Sequence, residues 1–215
     1  MSTTPLHKTS SRRRRSAEEV RKAALVEARE LLLSRGPDAV TLKAVAERLD
    51  MTHSNLLHHF GSAAELQSAL MGAMVRDLNE ALLSAVEQVA EDGQAPRALV
   101  DKVFDAFDVG GAGRLAAWMA LTNNVDHAAP IRDAVLDLVN GIEARFADQA
   151  KDARGHVVTD VLLIALLAFG DAVVGQQLTG MLGLGRGATR ALTAALLARS
   201  IADAVKEADE QNKRS

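Results

Sequence analysis

The chain has 215 residues, 48% of them apolar, with 25 Lys and Arg against 28 Asp and Glu and no cysteine. That length can bury a substantial core, and a mean hydropathy of +0.02 belongs to a globular rather than a disordered chain. Without cysteine there is no disulfide framework, thiolate metal site or Cys nucleophile, a composition that suits the cytoplasm.

The formal charge of −3 conceals an asymmetry: residues 1–60 carry 11 Lys and Arg against 7 Asp and Glu, a net of +4, and the remainder carries 14 against 21. Residues 1–15 are polar, lack apolar periodicity and end in Arg12, Arg13, Arg14 and Arg15, so a disordered basic arm is expected. They are also rich in Ser, Thr and Arg and free of acids, as organelle transit peptides are. They lack the apolar stretch of a secretory signal.

Ser16 is placed to cap a first helix, with Glu18 and Glu19 in the opening turn where the helix dipole favours anions. Val20, Ala24, Ala28, Leu31 and Leu32 give that helix one apolar face, and Gly36-Pro37 stops it. Residues 41–60, TLKAVAERLDMTHSNLLHHF, then read as two short helices joined by a tight turn. Thr41 caps the first, whose apolar face is Leu42, Val45, Ala46 and Leu49, and Asp50-Met51 interrupts it. Thr52 caps the second, whose apolar side is Leu56 and Phe60, leaving His53, Ser54, Asn55 and His58 pointing outward. A short, rigidly packed helix with small polar residues at its outer N-terminal end is what a DNA major groove admits.

A long helix is expected over residues 63–91, with Leu66, Leu70, Met74, Leu78, Leu82 and Val86 on its core face. Further helices are expected at about 97–108, 113–122, 130–150, 156–181 and 187–210, and strand signals are nearly absent. The fold class is all-α. The longest apolar run, residues 161–170, is about half of what a bilayer crossing needs and is bracketed by Asp160 and Asp171, so no membrane partner is expected.

Residues 16–70 resemble the N-terminal domain of the TetR family of transcriptional regulators. The family pattern is T-x-x-x-I-A-x-x-A-G-V-S-x-G-x-L-Y-x-H-F-x-x-K-x-x-L, preceded by a helix ending near a Gly. Gly36, Thr41, Val45, Ala46, Met51, Thr52, Leu56, His59, Phe60 and Leu66 match it in register. The resemblance covers about a quarter of the chain. It implies a disordered arm (1–15), a three-helix domain with a helix-turn-helix (16–62), and a larger helical domain for effector binding and dimerisation (63–215).

There are departures from the pattern. Asp50 stands where a turn Gly is usual and is among the few residues that tolerate a left-handed backbone. Ser54 replaces the second Gly. Leu57 and Ala63 replace a Tyr and a Lys that in the family reach phosphates. The arm Arg12–Arg15 can compensate through the minor groove, and His58 through a phosphate.

By resemblance, Thr41 and Thr52 lie where hydroxyls or helix-start amides meet phosphates, and His53, Ser54 and Asn55 lie where base edges are read. Asn55 is suited to a bidentate contact with adenine. Lys43 and His59 complete the expected DNA-contacting set, although His59 is equally suited to packing and hydrogen bonding inside the small domain.

In the larger domain the resemblance implies that the last two long helices pair with their copies in a two-fold dimer. The helix at about 156–181 is apolar nearly all round and must be covered on more than one side, and Gly170 and Gly175 would allow close helix approach. Phe104, Phe107, Trp118, Met119, Leu121 and Phe169 gather most of the aromatics into the middle helices and are the candidate lining of an effector pocket. Asp108, Asn123, Asn124, Asp126 and His127 are candidate polar contacts, although 122–129 also reads as a solvated loop. A metal site there is disfavoured by the absence of i,i+4 His spacing. The glycine-rich stretches follow no strand and read as loops rather than nucleotide cradles.

The expected function is a dimeric, ligand-responsive, cytoplasmic transcriptional repressor, released from a double-stranded DNA operator by a small-molecule effector. The alternative is a helical small-molecule-binding protein with weak or lost specific DNA binding, for which Leu57 and Ala63 speak. An enzyme is not expected, since no Cys exists and no Ser-His-acid set is discernible. No cofactor or metal is expected.

Overall fold

In the computed structural model, residues 16–89, 95–122, 129–146 and 153–214 are described, and among them there is no strand. The arm Arg12–Arg15 and the polar candidates Asn123, Asn124, Asp126 and His127 lie outside the described residues. Helix α1 (Ala17–Arg35) begins with a reciprocal cap: the Ser16 hydroxyl accepts from the Glu19 amide at 3.1 Å, and the Glu19 carboxylate accepts from the Ser16 amide at 2.7 Å. Gly36, at φ 98°, ends the helix in a conformation that L side chains rarely adopt. A 3₁₀ turn at Pro37–Ala39 leads to α2 (Leu42–Arg48), α3 (His53–Phe60) and α4 (Ala63–Val89).

The remaining elements are α5 (Ala95–Phe107), α6 (Ala112–Leu121), α7 (Ala129–Phe146), α8 (Ala153–Gly170), a π-helical segment (Asp171–Gly175), α9 (Gln176–Met181) and α10 (Ala188–Arg214). At 27 residues, α4 is about 40 Å long at 1.5 Å per residue, and it joins the two parts of the molecule. Its Leu66, Leu70 and Met74 are buried with α1, α2 and α3, and Leu82 is buried in a second cluster with Val100, Phe104, Leu138, Ala168 and Leu197.

The first cluster does not stop at residue 62. Ala112, Leu115 and Met119 of α6 complete it, so α6 serves as part of the floor of the N-terminal domain while also packing on α8 and the π-helical segment. Helix periodicity shows that a face is buried but not which neighbour buries it.

Two helix contacts are close enough to need glycine. A Cβ at Gly72 of α4 would fall 2.8 Å from the Pro130 carbonyl oxygen at the start of α7, and one at Gly113 of α6 would fall 2.7 Å from the Ala172 Cβ. Within one chain, Gly170 and Gly175 do not play this part: a Cβ at Gly170 would meet nothing within 4 Å, and one at Gly175 would meet its own segment's Asp171.

The stretch Gly155–Met181 runs helically for 27 residues and contains an 18-residue window with a mean hydropathy of 2.3, long and apolar enough to cross a membrane by length and composition alone. The longest unbroken apolar run understates the length of this apolar helix, because single polar residues such as Asp160 and Asp171 interrupt the run without ending the helix. Only 6% of that window is buried within the chain. Leu162, Leu166, Val173, Val174 and Leu178 on this stretch, and Leu192, Ile201 and Val205 on α10, form exposed apolar surface. Polar anchoring between helices is supplied elsewhere. Arg190 of α10 lies 2.6 Å from Asp105 and within 4 Å of Asp101 and Asp108 of the α5 end, and it stands 5.5 Å over the Phe104 ring. Burial opposes the Arg190 charge, but the Asp105 hydrogen bond and the three carboxylates outweigh it and raise the pKa of the guanidinium.

Candidate functional site

The helix-turn-helix is fixed by two threonine caps and one left-handed residue. Thr41 Oγ1 accepts from the Ala44 amide at 3.1 Å and Thr52 Oγ1 from the Asn55 amide at 3.2 Å, so each short helix has one orphan donor satisfied. Between them Asp50 takes φ 52°, the one positive φ outside glycine among the described residues. The Met51 amide returns to the Ala46 carbonyl at 2.9 Å and closes the turn. Asp50 thus occupies the left-handed position for which its side chain suits it.

Leu56 and Phe60 anchor α3 against Val45, Ala46 and Leu42, and burying a side chain such as Leu56 contributes roughly 1.5–3 kcal/mol. That packing leaves His53, Ser54, Asn55, Leu57 and His58 exposed along the outer side of α3, with Thr41 and Lys43 exposed at the start of α2 and Thr52 between them. Apart from the half-buried His59, the described members of the expected DNA-contacting set are therefore exposed at the start of α2, on α3 and at Thr52 between them. His59 differs from the others in being only partly exposed, edge-on to His58 at 6.0 Å between ring centroids.

The end of α3 is held by a residue that periodicity alone does not reveal. Arg21 of α1 donates to the His59 carbonyl, and its guanidinium stands 4.4 Å from the Phe60 ring centroid. A cation there complements the negative end of the helix and stacks on an aromatic face. Arg48 of α2 pairs with Glu27 of α1 at 3.2 Å. Gln67 of α4 donates to the Val40 carbonyl at 3.1 Å in a buried bond. The reading helices are thus tied to α1 and α4 by polar contacts as well as by the core.

Below the second half of α4 lies a cavity of about 320 Å³, within the size range of small-molecule sites. Leu78 and Leu82 of α4, Val103 and Phe107 of α5, Leu138 and Ile142 of α7, Val161 and Ile164 of α8, and Leu197 and Ile201 of α10 form its walls. Polar residues occur at one end, where His156 and Asp160 of α8 meet Ser200 of α10. Ser200 Oγ donates to Asp160 Oδ2 at 3.0 Å, and His156 Nε2 lies 3.2 Å from Glu207 Oε2.

Of the six side chains expected to line a pocket, Phe107 lines this cavity. Phe104 is buried in the second core cluster beneath Arg190, and Met119 belongs to the core of the N-terminal domain. Leu121 is 86% exposed at the end of α6. Trp118 and Phe169 are half-buried outside the lining, and Asp108 is exposed beside Arg190. The expectation followed aromatic residues, whereas the cavity is walled by branched aliphatics from five helices far apart in sequence.

The family profile for bacterial regulatory proteins of the tetR family matches residues 24–70, from the middle of α1 to the second turn of α4. No curated protein matches the chain. The matched segment is the one whose caps, turn and buried anchors build the helix-turn-helix, and it is similar to the DNA-binding segment of tetR-family transcription regulators.

Proposed function

We propose that the protein is a ligand-responsive, homodimeric repressor that leaves its operator when a small molecule fills the cavity. The observation that carries this reading is the span of α4. Its first half is buried with the reading helices and its second half walls the cavity, so one rigid element touches both sites. A ligand that prefers one placement of α4 shifts the population toward it, and α2 follows through the Gln67–Val40 bond. The dimer is supported by the exposed apolar side chains of α8, α9 and α10, which a second copy would cover and which present a two-fold surface suited to two operator half-sites. As a DNA-binding regulator it would act in the cytoplasm.

Fluorescence anisotropy against DNA taken from beside the protein's own gene, titrated with salt and compared with scrambled DNA, tests the reading. A preference for the native fragment that survives moderate salt is expected. Light scattering should give twice the chain mass, and Leu166→Lys should return it to a monomer.

A second reading, a ligand-binding protein with weakened DNA recognition, is favoured by Leu57. It is 40% exposed on the outer side of α3 and offers no hydrogen bond there. Equal, salt-labile binding to both DNAs would support it.

A further inference from the structure

We propose that the cavity takes an effector with an aliphatic body and one protonated, N–H-bearing amine, the amine set against Asp160. This rests on the reading of the cavity as the effector site. The walls offer alkyl surface, with Phe107 the one phenyl ring in the lining, so the body of the ligand is recognised by shape and burial rather than by stacking. Asp160 is hydrogen-bonded at Oδ2 by Ser200, which leaves Oδ1 able to accept a donor from the cavity. Among the described residues no Lys or Arg lines the cavity, and the imidazole at this end is already engaged by Glu207.

A carboxylate head would therefore meet the Asp160 carboxylate beside a histidine already paired with Glu207, whereas an ammonium would meet a carboxylate in a partly desolvated setting. Burial is the largest influence on Asp160 and raises its pKa, a cost that a neighbouring cation offsets. A quaternary ammonium is a poorer fit, since such groups are held by aromatic cages and this cavity has a single phenyl ring, Phe107.

The test is isothermal titration of the full chain at pH 7 with decylamine, decan-1-ol, decanoate and decyltrimethylammonium, each below its micellar concentration. Decylamine should bind at least about tenfold tighter than decan-1-ol, the discrimination of one charge-assisted hydrogen bond, and decanoate should bind most weakly. Asp160→Asn should abolish the amine's advantage and leave decan-1-ol unchanged, a result that a merely structural role for Asp160 does not give. Ala165→Trp, which fills the cavity, should abolish binding of all four.

Decan-1-ol or decanoate binding as well as decylamine would overturn the amine assignment while leaving the cavity as a ligand site. An amine preference that survives Asp160→Asn would also overturn it, as would amine binding that survives Ala165→Trp. If none of the four probes binds, the cavity's role as the effector site fails together with the amine assignment.

Discussion

Gln67 Nε2 donates to the carbonyl oxygen of Val40 at 3.1 Å, joining the second turn of α4 to the residue that precedes the α2 cap. Both residues are buried, at 5% and 0% exposure, so water is poorly placed to replace the bond. Gln67→Met keeps the length and removes the donor, leaving a buried carbonyl without its partner. A loss of ~1–3 kcal/mol is expected, read as a lower urea midpoint with unchanged slope. Operator affinity should fall further than stability predicts if α4 positions α2 through this bond. Proportional losses would reduce Gln67 to a structural role.

The two threonine caps predict a contrast that is local to the reading head. Thr52→Ala removes the acceptor for the Asn55 amide, and loss of such a cap costs ~1 kcal/mol. Thr52→Ser keeps the acceptor and should remain close to the parent in a thermal melt. If both variants lose the same stability, the threonine methyl rather than the cap is what matters.

Much of the N-terminal domain was legible in the sequence because its determinants are local. Ser16, Thr41 and Thr52 cap where their spacing from the apolar residues predicts, and Asp50 takes the left-handed turn its residue type permits. The cavity was not legible in this way. Leu82, Val103, Leu138, Ile164 and Leu197 read as ordinary core positions, and which of them leave a space depends on how five helices settle together. The same holds for Met119, whose helical face announces burial but not its destination beneath the reading head. Arg21 shows a third limit, since a cation on a solvent-facing turn carries no sign that its partners are His59 and Phe60 of another helix.

On DNA, Asn55 and the arginine arm should separate cleanly. Asn55 is exposed on the first turn of α3, its backbone amide already held by Thr52, so its side chain is available to a base edge. Asn55→Ala should cost ~1–3 kcal/mol at one base position and relax the preference there. Replacing Arg12–Arg15 with alanine should weaken every sequence alike and reduce the salt slope by about 1 for each phosphate that the arm neutralises. Identical effects on specific and scrambled DNA from both changes would refute this division of labour.

Gly72 allows α4 and α7 to meet. An added Cβ would lie 2.8 Å from a backbone oxygen of Pro130, which cannot swing away as a side-chain tip can. Gly72→Ala gains helix propensity, about 1 kcal/mol in an open helix, yet here the clash should dominate and lower stability by ~1–3 kcal/mol. An increase in melting temperature would mean that the α7 start moves aside at little cost.

Asp160 predicts a pH dependence whose sign follows from its surroundings. Burial raises its pKa in the folded chain, with the Ser200 hydrogen bond and the His156 charge acting the other way, and Glu207 of α10 stands behind His156. The folded state therefore keeps the proton to higher pH than the unfolded state. The stability this contributes is fully present below the ordinary aspartate range and is lost as pH rises through the folded value. Asp160→Asn retains an acceptor for Ser200 and removes the titration. Relative to the parent, its melting temperature should therefore rise as pH is raised from about 4 to 7 and level off above the folded value. A difference that stays flat over that interval would show that the carboxyl is as well solvated in the folded chain as in the unfolded one, and it would remove the electrostatic support for a cation at this end of the cavity.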